Sequence, residues 1–283
     1  MQQTAPQTVS ENEKEPSTNL RTPINSLVTL DNVESMKDEF ISIVSHELRT
    51  PMSTIKGYID MLLAGDAGPI NPEVKEILTE MLLAIEREIR LVNGMLDIGR
   101  LESGRLPFVL RNDVDVIEQA RLLLHSLKRA ASEKKLSLVL ETPTETLPKV
   151  QADSDKVVQV LINLVGNAMK FTKKGSITVS FSRDSDFVET CVTDTGPGIP
   201  PDKQPHLFEK FSQAATKKTR VSGGSGLGLY ISKIIIKKMG GEIALKESKA
   251  DYGSKFCFSL PISGSLKAAD VSKKLKREDK QHE

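Results

Sequence analysis

Phe40-Ile41-Ser42-Ile43-Val44-Ser45-His46-Glu47-Leu48-Arg49-Thr50-Pro51-Met52 is the stretch from which the rest of the chain is read. At about 100° per residue, Phe40, Ile43, Val44 and Leu48 fall on one side of a helix, with Val33 and Met36 upstream and Ile55, Ile59 and Leu62 downstream. His46 points roughly 160° away from the centre of that stripe, sharing its face with Ser42, Thr50 and Ser53. The pattern predicts a reachable imidazole beside the Glu47 carboxylate, just before a helix-interior proline, Pro51, that removes one backbone hydrogen bond and bends the helix. His-Glu also opens the zinc motif His-Glu-x-x-His, but Thr50 stands where the second histidine must be, so a zinc site is excluded. A surface histidine on an amphipathic helix satisfies these facts equally well, so its role rests on the rest of the chain.

Helical spacing extends on both sides of this stretch, from about Asp31 to about Leu63. Ala64 to Pro72 is a turn by composition, after which Val74, Ile77, Leu78, Met81, Leu82, Ile85, Ile89, Val92, Met95 and Leu96 repeat at three and four residues. The periodicity stops near Ser103-Gly104, which reads as a C-terminal cap. Two long helices on a short loop make an antiparallel hairpin whose apolar stripe is too wide to bury against itself. Pairing two hairpins into a four-helix bundle solves that, so a homodimer is expected, with packing on the downstream domain as the alternative.

Beyond Gly104 the texture changes to mixed α+β, helices on one face of a mostly antiparallel sheet. Strands are predicted near Phe108–Leu110, Leu136–Leu140, Ser176–Phe181, Phe187–Thr193, Glu242–Leu245 and Lys255–Leu260. Helices are predicted near Val114–Glu133, Ser154–Lys170 and Leu227–Met239. Asp194 to Gly224 is a long Gly/Pro/Lys-rich stretch with one helical patch at Leu207–Phe211, a length usually reserved for functional loops. The flanks read differently: residues 1–30 as a disordered leader rich in Gln, Thr, Glu, Ser and Pro, and 264–283 as a charged, flexible tail. Between them lie a helical hairpin, 31–104, and a second domain, 105–263.

The totals narrow the class. In 283 residues, charged side chains make up 27% and aromatics only 4%, which suits solvated helices with aliphatic seams. A net charge of +1 gives no electrostatic argument for nucleic acid or for a membrane surface. No apolar run is long enough to span a bilayer and no signal-peptide pattern opens the chain, so a cytoplasmic setting is expected. The two cysteines, Cys191 and Cys257, lie in β-like apolar runs and read as buried reduced thiols.

Three signals in the second domain point to a nucleotide. Gly223-Gly224-Ser225-Gly226-Leu227-Gly228-Leu229 opens a helix, where closely spaced glycines let backbone amides approach a polyphosphate; no Gly-Lys-Ser/Thr follows, so it is not a P-loop. Asp194-Thr195-Gly196-Pro197-Gly198-Ile199 puts a carboxylate at a strand end, suited to an exocyclic amine. Asn163, Asn167 and Lys170 share one side of a helix, with Leu161, Ile162 and Val165 on the other, an arrangement suited to a triphosphate with Mg²⁺. Each has a bland reading as a polar face or a structural turn when taken alone.

Taken in order, the motifs resemble those of sensor histidine kinases of two-component signalling. Ser45 to Pro51 resembles the H box, Asn163 to Phe171 the N box, Asp194 to Ile199 the G1 box, Leu207 to Phe211 the F box and Gly223 to Leu229 the G2 box. Gly240-Gly241-Glu242-Ile243 and Gly253-Ser254-Lys255-Phe256 are similar to the closing hairpin, and the resemblance covers about Val33 to Pro261. It implies a dimerising four-helix bundle followed by an α/β sandwich of the GHKL (Bergerat) ATPase type. It also implies ATP and Mg²⁺, autophosphorylation of His46, transfer to a response-regulator aspartate, and an upstream sensor domain or partner protein. By the same resemblance Glu47 is the base orienting His46, Asn167 the Mg²⁺ ligand with Asn163 beside it, and Lys170 a phosphate contact. Asp194 would take the adenine amine, Gly196 and Gly198 hinge the lid, and Gly226, Leu227 and Gly228 line the phosphates. Thr50 matches the position associated with hydrolysis of the phosphorylated regulator, which implies a bifunctional kinase and phosphatase. Lys210 departs from the usual arginine of the F box and Ser225 from the commoner threonine of the G2 box. A non-catalytic dimeric docking module of the same fold, or an ATPase without phosphotransfer, is the alternative; the intact boxes argue against the first and the H box against the second.

Overall fold

The computed structural model describes residues 30–102, 106–212 and 225–279; of the side chains, those of 30–42, 45, 46, 102 and 276–279 are not described. Two long helices open it, α1 (Leu30–Ala64) and α2 (Pro72–Glu102). α1 runs on through Pro51 as one assigned helix. Asn71 accepts the amide of Val74 at 2.7 Å, pairing one of the amides that α2's first turn leaves without a helical partner. Across the hairpin, Arg49 donates from Nε (3.1 Å) and Nη2 (2.6 Å) to Asn93 Oδ1.

The hairpin's apolar stripe divides between two fates. Ile98 and Leu101, near the end of α2, join the buried core of the second domain, and Leu91 packs against it. Further from that domain, Ile43, Leu48, Ile55, Tyr58, Met61, Ile77, Met81 and Leu83 stay exposed, with Ile77 at 57% and Leu83 at 61%. The alternative raised from the sequence, packing on the downstream domain, is thus present at the end of α2, while the other turns of the hairpin keep apolar side chains exposed.

The second domain begins with β1 (Arg111–Val114), three residues later than the sequence pattern suggests, and α3 (Val116–Glu133), capped by Asp115 Oδ1 on the amides of Ile117 and Glu118. β2 (Leu136–Glu141) and the short β3 (Val150–Ala152) follow. β3 escapes a pattern search because three residues carry no periodicity; it pairs with β1 in a two-stranded sheet. Next come α4 (Ser154–Phe171), capped by Asp153, then β4 (Gly175–Asp184) and β5 (Phe187–Asp194). The expected helical patch at 207–211 is turn, and the helical turn there is instead a 3₁₀ segment, Gln204–His206. α5 (Gly228–Lys238), β6 (Ile243–Lys249) and β7 (Gly253–Pro261) complete the layer.

The main sheet has the order β2-β4-β5-β7-β6, antiparallel except for β2 with β4. Alternation sends Ile177, Val179, Val188, Val192, Phe258 and Leu260 into the core shared with α3, α4 and α5. The α+β reading therefore holds.

Two expectations are corrected. Cys191 and Cys257, expected as reduced thiols, are joined as a disulfide, because the β5–β7 register sets them directly opposite one another. Residues expected to form a flexible tail instead include α6 (Leu266–Asp279). Ser265 Oγ accepts the Ala268 amide at 3.2 Å, Ala268 is buried, and Val271 lies against Gly240, so a few small residues anchor a mostly charged helix.

Candidate functional site

The site grows from the period-2 alternation of β5. Val188, Thr190 and Val192 point to the helix layer, and the same phase points Asp194 there at the strand's end. Asp194 is 8% exposed; burial pushes its carboxyl pKa up, while hydrogen bonds from the Gly196 and Ser254 amides pull it back in part. The Gly196 amide donates to Asp194 Oδ1 at 2.8 Å.

Gly196 is needed for space. A Cβ there would lie 2.7 Å from Asp194 Oδ1 and 3.1 Å from Thr172 Oγ1. Gly198 serves the frame instead: its φ is +69° and it sits against the backbone of Lys249, beside the Asp251 amide bonded to Pro197 O at 2.9 Å and the Ile199 amide bonded to Ser248 Oγ at 2.8 Å. Those contacts tie the stretch to the β6–β7 turn.

α4 supplies the polar face. Asn163 and Asn167, four residues apart, and Lys170 are half-buried along one side, over a core side of Val157, Val160, Leu161, Leu164, Val165 and Ala168. Ile162, expected on the core side, is 52% exposed. Asn163 Nδ2 donates to Ser232 Oγ of α5 at 2.9 Å, and Asn167 Nδ2 reaches Asn163 Oδ1 at 3.5 Å. That orientation leaves the Asn167 carbonyl oxygen as a hard acceptor. Lys170 has its ammonium pKa lowered, first by burial and then by Arg90 and Arg87 of α2.

The glycine-rich segment meets this face from α5. Gly228, the first residue of α5, carries no Cβ where one would press on the Asn163 amide, 2.9 Å from Cγ and 3.3 Å from Nδ2. Gly226 packs the same way against the backbone of Phe211 and Ser212, joining this segment to the end of the described stretch 106–212. Leu227 is fully buried, and Gly94 of α2 lies against its Cδ1; its side chain is core, so only its backbone remains for a ligand. Lys210 stands over the Tyr230 ring at 5.3 Å, a stacking that an ammonium can make in place of the arginine fork.

The structure thus brings Asn163, Asn167, Lys170, Asp194, Gly196, Gly226 and Gly228 into one domain around the α4 face. On the hairpin, Glu47 and Thr50 are exposed, the Thr50 carbonyl accepting from Thr54 Oγ1 at 3.1 Å. The side chain of His46 lies outside the described residues, as do positions 223 and 224 of the G2 box. Two residues went unremarked in the sequence, Ser232 and Thr172. A serine four residues after Gly228, within an isoleucine-rich helix, is the signal for the first. A buried threonine directly after the α4 polar face is the signal for the second.

Two family models match this layout. The His Kinase A (phospho-acceptor) domain covers residues 36–104, and the histidine kinase-, DNA gyrase B- and HSP90-like ATPase covers 152–264. The chain belongs to the sensor histidine kinase family. It is 34% identical over 237 residues to the signal transduction histidine-protein kinase BarA of Escherichia coli, covering 80% of this chain and 25% of BarA. It is 33% identical over 240 residues to the circadian input-output histidine kinase CikA of Synechococcus elongatus, covering 84% of this chain and 32% of CikA. The chain therefore spans a quarter to a third of these relatives' length. The crystal structure of full-length ShkA in complex with AMPPNP superposes with a TM-score of 0.65 at 28% identity, over 80% of this chain and 46% of ShkA. Among the described residues no helix is long and apolar enough to cross a membrane.

Proposed function

We propose that this histidine kinase chain uses ATP to phosphorylate His46 and passes the phosphoryl group to an aspartate of a response regulator. The observation that carries the reading is the convergence on α4. An amide oxygen, an ammonium, a buried carboxylate and a glycine-opened helix start meet in one domain, joined covalently to the helix that holds His46. In this reading Asp194 accepts the adenine amine, Lys170 meets phosphate charge, and the amides about Gly226 to Gly228 face the polyphosphate. The neutral His46 Nε2 attacks the γ-phosphorus in line; an N–P bond forms, the bond to the bridging oxygen breaks and ADP leaves. Glu47 takes the proton from the other ring nitrogen, so the phosphoimidazole forms without a net cationic ring. The aspartate carboxylate of the regulator then displaces the imidazole.

The Asn167 carbonyl oxygen, with Asn163 beside it, fits a hard divalent ion that keeps several waters. Mg²⁺ held there would neutralise charge on the phosphates of ATP. Dimerisation through the exposed hairpin stripe is part of the same proposal; light scattering should give twice the chain mass. Thr50, exposed one turn after His46, is proposed to align water for dephosphorylation of the regulator. Unchanged phosphatase rates in Thr50→Ala would remove that role.

The test of the main reaction is incubation with γ-labelled ATP. Acid-labile, alkali-stable label on the protein, absent in His46→Ala, is expected. Phosphate release without protein label would overturn the reading in favour of a plain ATPase, and neither label nor release in favour of a docking module.

A further inference from the structure

The main sheet ends on β2 at one margin and on β6 at the other, and the two edges are finished differently. An edge strand presents unpaired backbone amides and carbonyls, which chains ordinarily blunt with charges or a bulge. β6 is blunted in both ways: its register slips between Leu245 and Glu247, and Lys246, Glu247 and Lys249 stand along it, with Lys246 paired to Glu189 at 3.0 Å. β2 is not. It keeps unbroken register with β4 from Leu136 to Glu141, and from Leu136 to Leu140 it carries neither charge nor proline. Among the described residues no strand pairs with its other side.

A groove of about 610 Å³ runs along that edge, between β2 and α3. Its apolar part is Leu124 of α3 with Leu136, Leu138 and Leu140 of β2. Ser137 lines it as well; successive strand residues point to opposite faces, so the groove follows the edge of the sheet rather than one face. Its polar part has one sign. Arg121, His125, Lys128 and Lys135 line it, and no carboxylate does. The first three stand four and three residues apart on α3, hence on one side of the helix, and Lys135 follows at the turn into β2. Arg121 is already paired with Glu118, whereas His125, Lys128 and Lys135 have no ion-pair partner among the described residues. In a chain with a net charge of +1 this is a local excess.

Each feature selects part of an occupant. The open edge asks for an extended backbone, the leucines for apolar side chains and the basic rim for carboxylates. Nucleic acid or a lipid headgroup would satisfy the rim and leave the edge and the leucines unused. We infer that this groove docks an extended, acidic segment of a partner protein, which joins the main sheet as a sixth strand beside β2. The six residues of β2 extend about 20 Å, room for an added strand of equal length. None of the lining residues belongs to the α4 site, so the inference stands apart from the phosphotransfer reading.

The test titrates a fluorescein-labelled peptide of five Glu-Val repeats with the full chain and follows anisotropy. Binding should saturate and weaken with added salt, and the bound peptide should slow hydrogen exchange at the amides of 137–140. Two further peptides are N-methylated, one at every valine and one at every glutamate, so that each lacks the donors of one strand edge. One of the two should bind at least about tenfold more weakly, the value of two or three neutral hydrogen bonds. Lys128→Glu combined with Lys135→Glu should also weaken binding about tenfold, with ATP affinity and thermal midpoint unchanged. Failure of the Glu-Val peptide to bind would overturn the inference. So would equal binding of both N-methylated peptides and of a ten-glutamate peptide, which would leave charge alone as the attraction. A chain that takes up duplex DNA or phosphatidylserine vesicles but not the peptide would make the groove an anionic-surface site instead, and overturn the inference as well.

Discussion

Replacing Gly228 by alanine sets two effects of known size against each other. The φ of Gly228 is not in the left-handed region, so alanine there meets no backbone penalty. It should gain up to about 1 kcal/mol from helix propensity and from a less flexible unfolded chain. Against this, the new Cβ would overlap the Asn163 amide, 2.9 Å from Cγ and closer still to Oδ1. The amide must swing away, which breaks its bond to Ser232 Oγ at 2.9 Å and loosens the longer one from Asn167 at 3.5 Å. Ser232 is 2% exposed and would lose the amide donor it pairs with. Two hydrogen bonds at about 0.5–1.5 kcal/mol each, one from a buried group, outweigh the propensity gain. The expected result is a net loss of about 1–2 kcal/mol of stability, read from denaturant midpoints. ATP affinity should drop as well, because Asn167 loses the neighbour that orients it. The decisive comparison is a double-mutant cycle with Asn163→Ala. In that background no amide remains to be displaced, so Gly228→Ala should become neutral or stabilising, a coupling of at least about 1 kcal/mol. Additive effects, or a wild-type background in which Gly228→Ala stabilises, would refute the reasoning.

Other expectations are as direct. Burial raises the Asp194 carboxyl pKa, so the native chain holds that proton more tightly than the unfolded chain; stability falls as pH rises from the ordinary aspartate range through the raised native value and is then flat. In the proposed reading adenine binding needs the carboxylate and runs the other way, weakening as pH falls through the same raised value; ATP affinity measured between about pH 4 and 7 should then weaken at a higher pH than an ordinary aspartate allows. Leu227→Ala, at a fully buried site against Gly94, should cost about 2–5 kcal/mol in urea unfolding with an unchanged m-value, and a cost near zero would deny that contact. Denatured without reductant, the chain should yield no free thiol, and Cys191→Ser with Cys257→Ser should cost about 2–4 kcal/mol, a difference that excess dithiothreitol erases. Two titratable thiols in untreated protein would contradict the bridge.

Much of this was legible in the sequence because the signals are local. Periodicity of three and four residues defined α1 and α2 to within a residue or two of Leu30–Ala64 and Pro72–Glu102. Alternation defined β4 and β5, and with them the face that Asp194 takes. Spacing put Asn163, Asn167 and Lys170 on one side of α4, and the glycines at 226 and 228 at the start of α5. These are properties of a single element, and a chain carries them whether or not its elements have met.

What tertiary structure alone decided are relations between elements. The α+β sheet could be named from the sequence, but the β5–β7 register that sets Cys191 against Cys257 could not, because pairing is a choice among strands distant in the chain. Charge alternation in 264–283 predicted a solvated tail, and only the seat that Gly240 leaves for Val271 makes α6 a packed helix. Leu227 looked like part of a phosphate loop until Gly94, on a different helix, was found against it. Thr172 was one more residue after a motif until the end of β5 arrived beside it. Sequence by itself placed each candidate residue on one face or one end of its own element, a local property; contact between α4, α5 and β5 decided which of their atoms face one another.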